Sequence, residues 1–111
     1  MEIWKRGAAI SAPLFQLADA LERRRLHRFA EQLRAAVLSI TNNIAEGSGS
    51  SSDAEFAQYL NIARRSVYEV ANMLLLFERH GVCDKGDIAV HLMELDEQSR
   101  MLLAFRRTLK S

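Results

Sequence analysis

From Phe56 to Phe77 the apolar residues fall at Phe56, Leu60, Ala63, Val67, Val70, Leu74 and Phe77, alternating steps of four and three without a break. A strand would alternate at every second residue, whereas this spacing lines one side of an α-helix. A stripe so long and regular is a knobs-into-holes seam, and it needs facing helices to bury it. It starts behind Ser52-Asp53-Ala54-Glu55, which reads as a capping box. It stops at His80-Gly81, where glycine can take the left-handed conformation that closes a helix.

The rest of the chain supplies the facing helices. Ile3, Gly7, Ile10, Leu14, Leu17 and Leu21 step at the helical period, as do Leu26, Phe29, Leu33, Ala36, Ile40 and Ile44. A fourth stripe holds Ile88, Leu92, Leu95, Ser99, Leu102 and Leu109. With one Pro and five Gly there is little to interrupt long helices, and no run alternates as a strand would. The spacing predicts helices over about 3–21, 26–46, 53–80 and 86–109, the second ending where Gly47 can serve as its C-terminal glycine. Pro13 should bend the first helix rather than end it, because the stripe continues in phase beyond it. Short connections make neighbours antiparallel, so the expected fold is all-α, an up-down four-helix bundle forming one domain over 1–111.

Charge and length narrow the possible partners. The formal net charge is only +1, so there is no global pull toward nucleic acid or membrane. The longest apolar run, Met73 to Phe77, falls far short of the roughly 20 residues that span a bilayer. The N-terminus lacks the apolar core of a signal peptide, and Cys83 is the sole cysteine. A cytoplasmic setting is expected.

More apolar surface is present than a lone bundle needs. Tyr59, Ile62, Met73 and Leu76 flank the main seam on one side and Leu75 lies off the other, while Met93, Met101 and Ala104 sit away from the fourth stripe. Burial against further copies of the chain, in a closed homo-oligomer, accounts for such faces.

The segment Ser39-Ile40-Thr41-Asn42-Asn43-Ile44-Ala45-Glu46-Gly47, then Gly49, then Ser52-Asp53-x-Glu55-Phe56 and Ile62-Ala63-Arg64-x-Ser66-x-x-Glu69, resembles one family. That family is the four-helix-bundle proteins encoded in intervening sequences of bacterial 23S ribosomal RNA genes. Gln32-Leu33-Arg34, Arg79-x-Gly81 and the placing of Trp4 extend the likeness over nearly the whole chain. The run Asn43-Ile44-Ala45-Glu46-Gly47 is its specific part. The resemblance implies a cytosolic bundle assembled as a pentamer, with an association with ribosomal RNA suggested by gene location. Similarity to the accessory protein of diversity-generating retroelements, which partners a reverse transcriptase and nucleic acid, points the same way. This chain departs from the family in having Thr41 where Pro is usual, which should straighten the second helix. It also has Ser50 and Ser51 where basic residues are usual, which weakens any grip of that loop on phosphate.

Arginines are the candidate nucleic-acid contacts. Arg23, Arg24, Arg25 and Arg28 cluster at the first turn, with Arg79 and Lys85 at the same end of an antiparallel bundle. Lys5, Arg6, Arg106, Arg107 and Lys110 gather at the other end. Glu22, Glu78, Asp84 and Asp87 dilute the first cluster, and no aromatic is read as interleaved with it to stack a base. Asn42, Asn43 and Glu46 are read as polar groups that set helix or subunit register by hydrogen bonding. Catalysis is not expected: Glu46 has no His, Lys or metal beside it, and Cys83 has no base in sequence reach. His80, Cys83, Asp87 and His91 match no zinc spacing, and Glu-x-x-His is missing, so no metal or cofactor is expected. The chain reads as a non-enzymatic oligomeric module for RNA or another nucleic acid, or else as a protein-interaction scaffold without nucleic-acid affinity.

Overall fold

The long stripe forms one helix, α3 (Asp53–Arg79), with Leu60, Ala63, Val67, Val70, Leu74 and Phe77 buried along it. Ser52 caps its start, the Oγ accepting from the Glu55 N–H at 3.2 Å, which is half of the predicted capping box. At its far end Gly81 has φ +76, the Val82 N–H donates to Phe77 O at 2.7 Å and the Gly81 N–H to Glu78 O at 3.1 Å. Those paired bonds are a Schellman closure, and they satisfy carbonyls the helix leaves open.

The remaining helices are α1 (Glu2–Arg23), α2 (His27–Ser48) and α4 (Lys85–Arg106). The computed structural model describes residues 1–110; Ser111, the last residue of the predicted domain, lies outside the described residues. α1 runs uninterrupted through Pro13, α2 carries on past Glu46 to Ser48, and α4 ends at Arg106 instead of near Leu109. Each helix packs on its neighbours in chain order and α4 closes the ring on α1, the thinnest of the contacts. Directions follow from who meets whom. Gly7 lies against Thr41 while Arg34 bonds Asp19, so α1 and α2 run oppositely. Ser39 meets Ser66 while Phe29 meets Phe77, and Tyr68 meets Ser99 while Ala57 meets Arg106. The result is a rod of 45 × 22 × 19 Å with both turns-to-turn ends exposed.

Ile10, Leu14, Leu21, Leu33, Ile44, Leu60, Leu74, Leu95 and Leu102 fill the middle. Each such side chain contributes about 1.5–3 kcal/mol by leaving water. Some expected core positions are corrected: Leu17, Leu26, Phe56, Leu92 and Leu109 are only half-buried, packed against the core, and Phe29 is exposed. Ala18 rather than Leu17 is buried on α1, and Ala30 rather than Phe29 on α2. The buried set of α2 runs through Ala30, Leu33, Ala36, Val37, Ile40 and Ile44; Phe29 is in phase with it but lies in the first turn of α2, at the end of the bundle. Phe29 is 41% exposed and leans on Phe77, ring centroids 5.3 Å apart.

Gly47 is also corrected. It does not end α2 in a left-handed turn; it lies inside the helix and is buried. A Cβ there would come within 2.7 Å of Phe56 Cδ1 and 2.8 Å of Tyr59 Cβ, so the glycine lets α2 and α3 touch backbone to side chain. The left-handed residue is found elsewhere, at the α1–α2 turn. The Leu26 N–H donates to Leu21 O and the Arg25 N–H to Glu22 O, both at 2.9 Å, a second Schellman closure. Its left-handed place is held by Arg25, φ +64, where glycine would avoid a cost of roughly 1–2 kcal/mol.

Candidate nucleic-acid interface

Arg23, Arg24, Arg25 and Arg28 all stand exposed at the α1–α2 end. Arg24 is tied down: its Nη1 donates to Val82 O at 2.6 Å, joining this turn to the one between α3 and α4. That link places the Arg79 and Lys85 ends of α3 and α4 on the same side. Two nearby acids on α1, Asp19 and Glu22, are occupied from α2. Arg34 donates to Glu22 Oε1 and to Asp19 Oδ1, each at 2.8 Å, and the His27 ring nitrogen bonds Glu22 Oε2. The Arg34 guanidinium, with His27, holds the Glu22 carboxyl below the usual carboxylate range, and Glu22 in turn raises Arg34. Among the described residues no carboxylate lies within ion-pair distance of Arg23, Arg25 or Arg28.

An aromatic does accompany these arginines, which corrects the sequence reading. Phe29 borders a shallow depression of about 210 Å³ together with Arg25, Leu26, His27 and Arg28. Sequence reasoning missed it by assigning Phe29 to the core; the run Arg28-Phe29 was the available signal. The opposite end is more tied down. Arg106 Nε donates to Ala57 O at 3.2 Å and the Lys110 N–H to Asp53 Oδ2 at 3.0 Å, closing the end of α4 onto the start of α3. Lys5 pairs weakly with Glu2 at 3.8 Å, while Arg6 and Arg107 are exposed.

The signature residues divide. Ile44 and Gly47 are buried packing residues, while Ala45 and Glu46 are exposed. Asn43 Nδ2 donates to Ser39 O at 2.7 Å and to Ser39 Oγ at 3.0 Å, Ser39 and Ser66 share a 2.7 Å hydroxyl bond, and Ser66 Oγ donates to Ile62 O at 3.1 Å. With Ser66 committed to Ile62, the hydroxyl between the helices must be donated by Ser39, so the chain has a single direction and joins α2 to α3. Asn43 itself bonds only within α2, and the Ser39–Ser66 hydroxyl pair is what links α2 to α3. Asn42 and Glu46 are exposed on the surface of the bundle.

Along the α2–α3 flank a groove of about 380 Å³ is lined by apolar Phe29, Met73, Leu76, Phe77 and Val82, with Gln32, Glu69, Asn72 and His80 around them. Of the interface candidates, Ile62, Leu75, Leu76 and Met93 are exposed, Met93 most of all at 73%. Tyr59, Met73 and Met101 are half-buried, the last two against their own core. Ala104 is exposed. These do not make one face. Ile62 and Leu76 belong with the α2 side, Leu75 and Met93 lie elsewhere on α3 and α4.

Among the described residues no group of three His, Cys, Asp or Glu is placed to hold a metal ion, and no helix is long and apolar enough to cross a membrane. Cys83 is half-buried, and burial pushes its thiol up.

A four-helix bundle with guanidinium groups at its ends and apolar side chains along its flanks is therefore the class of protein the fold defines. The sequence model of the 23S rRNA-intervening sequence proteins matches residues 1–104, and the chain belongs to that family. No curated protein matches the chain closely enough to count as a relative.

Proposed function

We propose that this protein is a non-enzymatic, cytoplasmic, self-assembling helical module that holds RNA, with the arginines of the α1–α2 end on the phosphates. One observation carries the reading. Arg23, Arg25 and Arg28 are exposed and without a carboxylate partner among the described residues, while the neighbouring Glu22 and Asp19 are engaged by Arg34. Guanidinium groups left in this state suit phosphate, which they bind in a fork. The family's description, which refers to 23S rRNA intervening sequences, supports ribosomal RNA as the first RNA to try.

Self-assembly is supported by Ile62, Leu75, Leu76 and Met93, large apolar side chains exposed on more than one side of a small bundle. Contact surfaces on different sides suit a closed ring, in which one face of each copy meets another face of the next. A pentamer, as the family resemblance implies, would repeat the arginine end around its axis and raise the local field.

Light scattering gives the mass, and binding of labelled ribosomal RNA fragments across a salt series gives the electrostatics. The reading expects one oligomer and an affinity that falls steeply with salt, with Arg23→Ala plus Arg28→Ala flattening the slope by about one per lost contact. An oligomer indifferent to RNA at low salt would refute it. The groove beside Met73 and Leu76 would then favour a protein partner instead.

A further inference from the structure

We propose that the α1–α2 end selects single-stranded RNA, stacking one unpaired base on Phe29 with the flanking phosphates on Arg25 and Arg28. The proposal rests on the RNA reading above and specifies what kind of RNA that site takes. Two observations meet at this turn.

Arg25 occupies the left-handed position of the Schellman closure at φ +64, a conformation that L side chains rarely adopt and glycine adopts at will. Local strain of this kind persists where a side chain is needed at that place. Its side chain is exposed, pairs with no carboxylate among the described residues, and borders the 210 Å³ depression.

Phe29 is the second. A phenylalanine one turn into α2 could have taken the buried place that Ala30 holds, yet it stands 41% exposed over the same depression. Phe77 supports it from the side, centroids 5.3 Å apart and planes tilted by 35°, so the ring is held in position while part of it meets solvent. A supported aromatic that shares a depression with two arginines suits single strands: every base offers a π-face, and the arginines follow the backbone. Duplex RNA hides its base faces in the stack and offers this site phosphate alone.

Phe29 also borders the apolar groove along α2 and α3, so a subunit contact is the competing role for the ring. The experiment separates them. A short unstructured RNA and a blunt duplex of the same sequence are titrated with the full chain at matched salt, with mass and helix content followed for each variant. The parent is expected to prefer the single strand. Phe29→Leu keeps an apolar contact for Phe77 but loses the aromatic face, and should weaken the single strand by about tenfold while leaving the duplex and the mass unchanged. Arg25→Gly should raise the melting temperature, since it relaxes the turn, and still weaken the single strand with a shallower salt slope.

Equal affinity for both RNAs, together with no effect of Phe29→Leu, would overturn the proposal while leaving the arginine reading intact. A Phe29→Leu protein of lower mass would overturn it by assigning the ring to a subunit contact. A parent that binds neither RNA at low salt would take down both readings together.

Discussion

Gly47→Ala adds one methyl group and should destabilise the protein, the reverse of what alanine does elsewhere in a helix. The new Cβ would lie 2.7 Å from Phe56 Cδ1 and 2.8 Å from Tyr59 Cβ. The phenyl ring packs beside Phe105, centroids 5.5 Å apart, so its movement disturbs that contact. Tyr59 Cβ cannot swing at all, because it moves only with the α3 backbone. Relief therefore means parting α2 from α3 at the end where their connecting loop begins. Overpacking of this kind costs about 1–3 kcal/mol, against which alanine returns about 0.5–1 kcal/mol of helix propensity. The net loss is up to about 2.5 kcal/mol. Gly86→Ala is the matched control, in the first turn of α4 with nothing within 4 Å of its Cβ, and should gain about 0.5–1 kcal/mol. Thermal unfolding followed by circular dichroism, at one fixed protomer concentration, should separate the two variants by roughly 8 °C. A Gly47→Ala protein melting at or above the parent would refute the close approach of α2 and α3.

Gln98 is fully buried and donates Nε2 to Ile3 O at 3.0 Å, but its Oε1 has no partner in the described structure. Gln98→Met gives up one hydrogen bond of about 1 kcal/mol and removes an orphan acceptor costing about 1–3 kcal/mol, so its urea midpoint should rise; a clear fall would show that Oε1 is satisfied by bound water. Glu22 has a depressed pKa in the folded state, so its pairing stabilises fully above the ordinary value of 4.5 and is lost as pH falls through the lower folded value. Urea midpoints of the parent and Glu22→Gln should therefore differ at neutral pH and converge in acid, and a constant gap would contradict the pairing with Arg34 and His27. Cys83, raised mainly by burial, should be alkylated more slowly at neutral pH than in denaturant, with its rate profile centred above 9.0; equal rates would place the thiol in solvent.

Helix order and the main seam were legible because they rest on periodicity alone. Every residue of the α3 stripe from Leu60 to Phe77 is buried, and both predicted ends of α3 hold, since Ser52 and Gly81 act through bonds local to them. Residues whose role depends on another helix were harder to place. Gly47 and a C-terminal glycine look alike in sequence, and only the approach of Phe56 and Tyr59 distinguishes them. Gln98 gave no periodic signal, because apolar residues on α4 run around the helix: Ile88, Leu95 and Leu102 are buried while Val90 and Met93 are exposed. Ser99, which the stripe did include, is buried beside it.

The candidate site was half legible, and the missing half has a physical cause. Arginines advertise themselves by type, so the cluster was visible; whether each is engaged is a matter of distance. Arg24 is spent on Val82 O, and Glu22, one of the acids read as diluting the cluster, is held by Arg34, twelve residues on. Phe29 was misplaced because an aromatic in phase with a stripe is usually core, and the misplacement is itself informative. Local preference, periodicity and packing normally agree, and where they disagree the position is serving something other than stability. At the α1–α2 turn they disagree twice within one turn of helix: an arginine stands where glycine is cheaper, and a phenylalanine stands outside while alanine goes in. Either choice alone could be drift. Both bordering one depression, with the exposed Arg28 beside them, make recognition the simpler cause, and Arg25→Gly puts that directly to the test, because stability and binding should move in opposite directions.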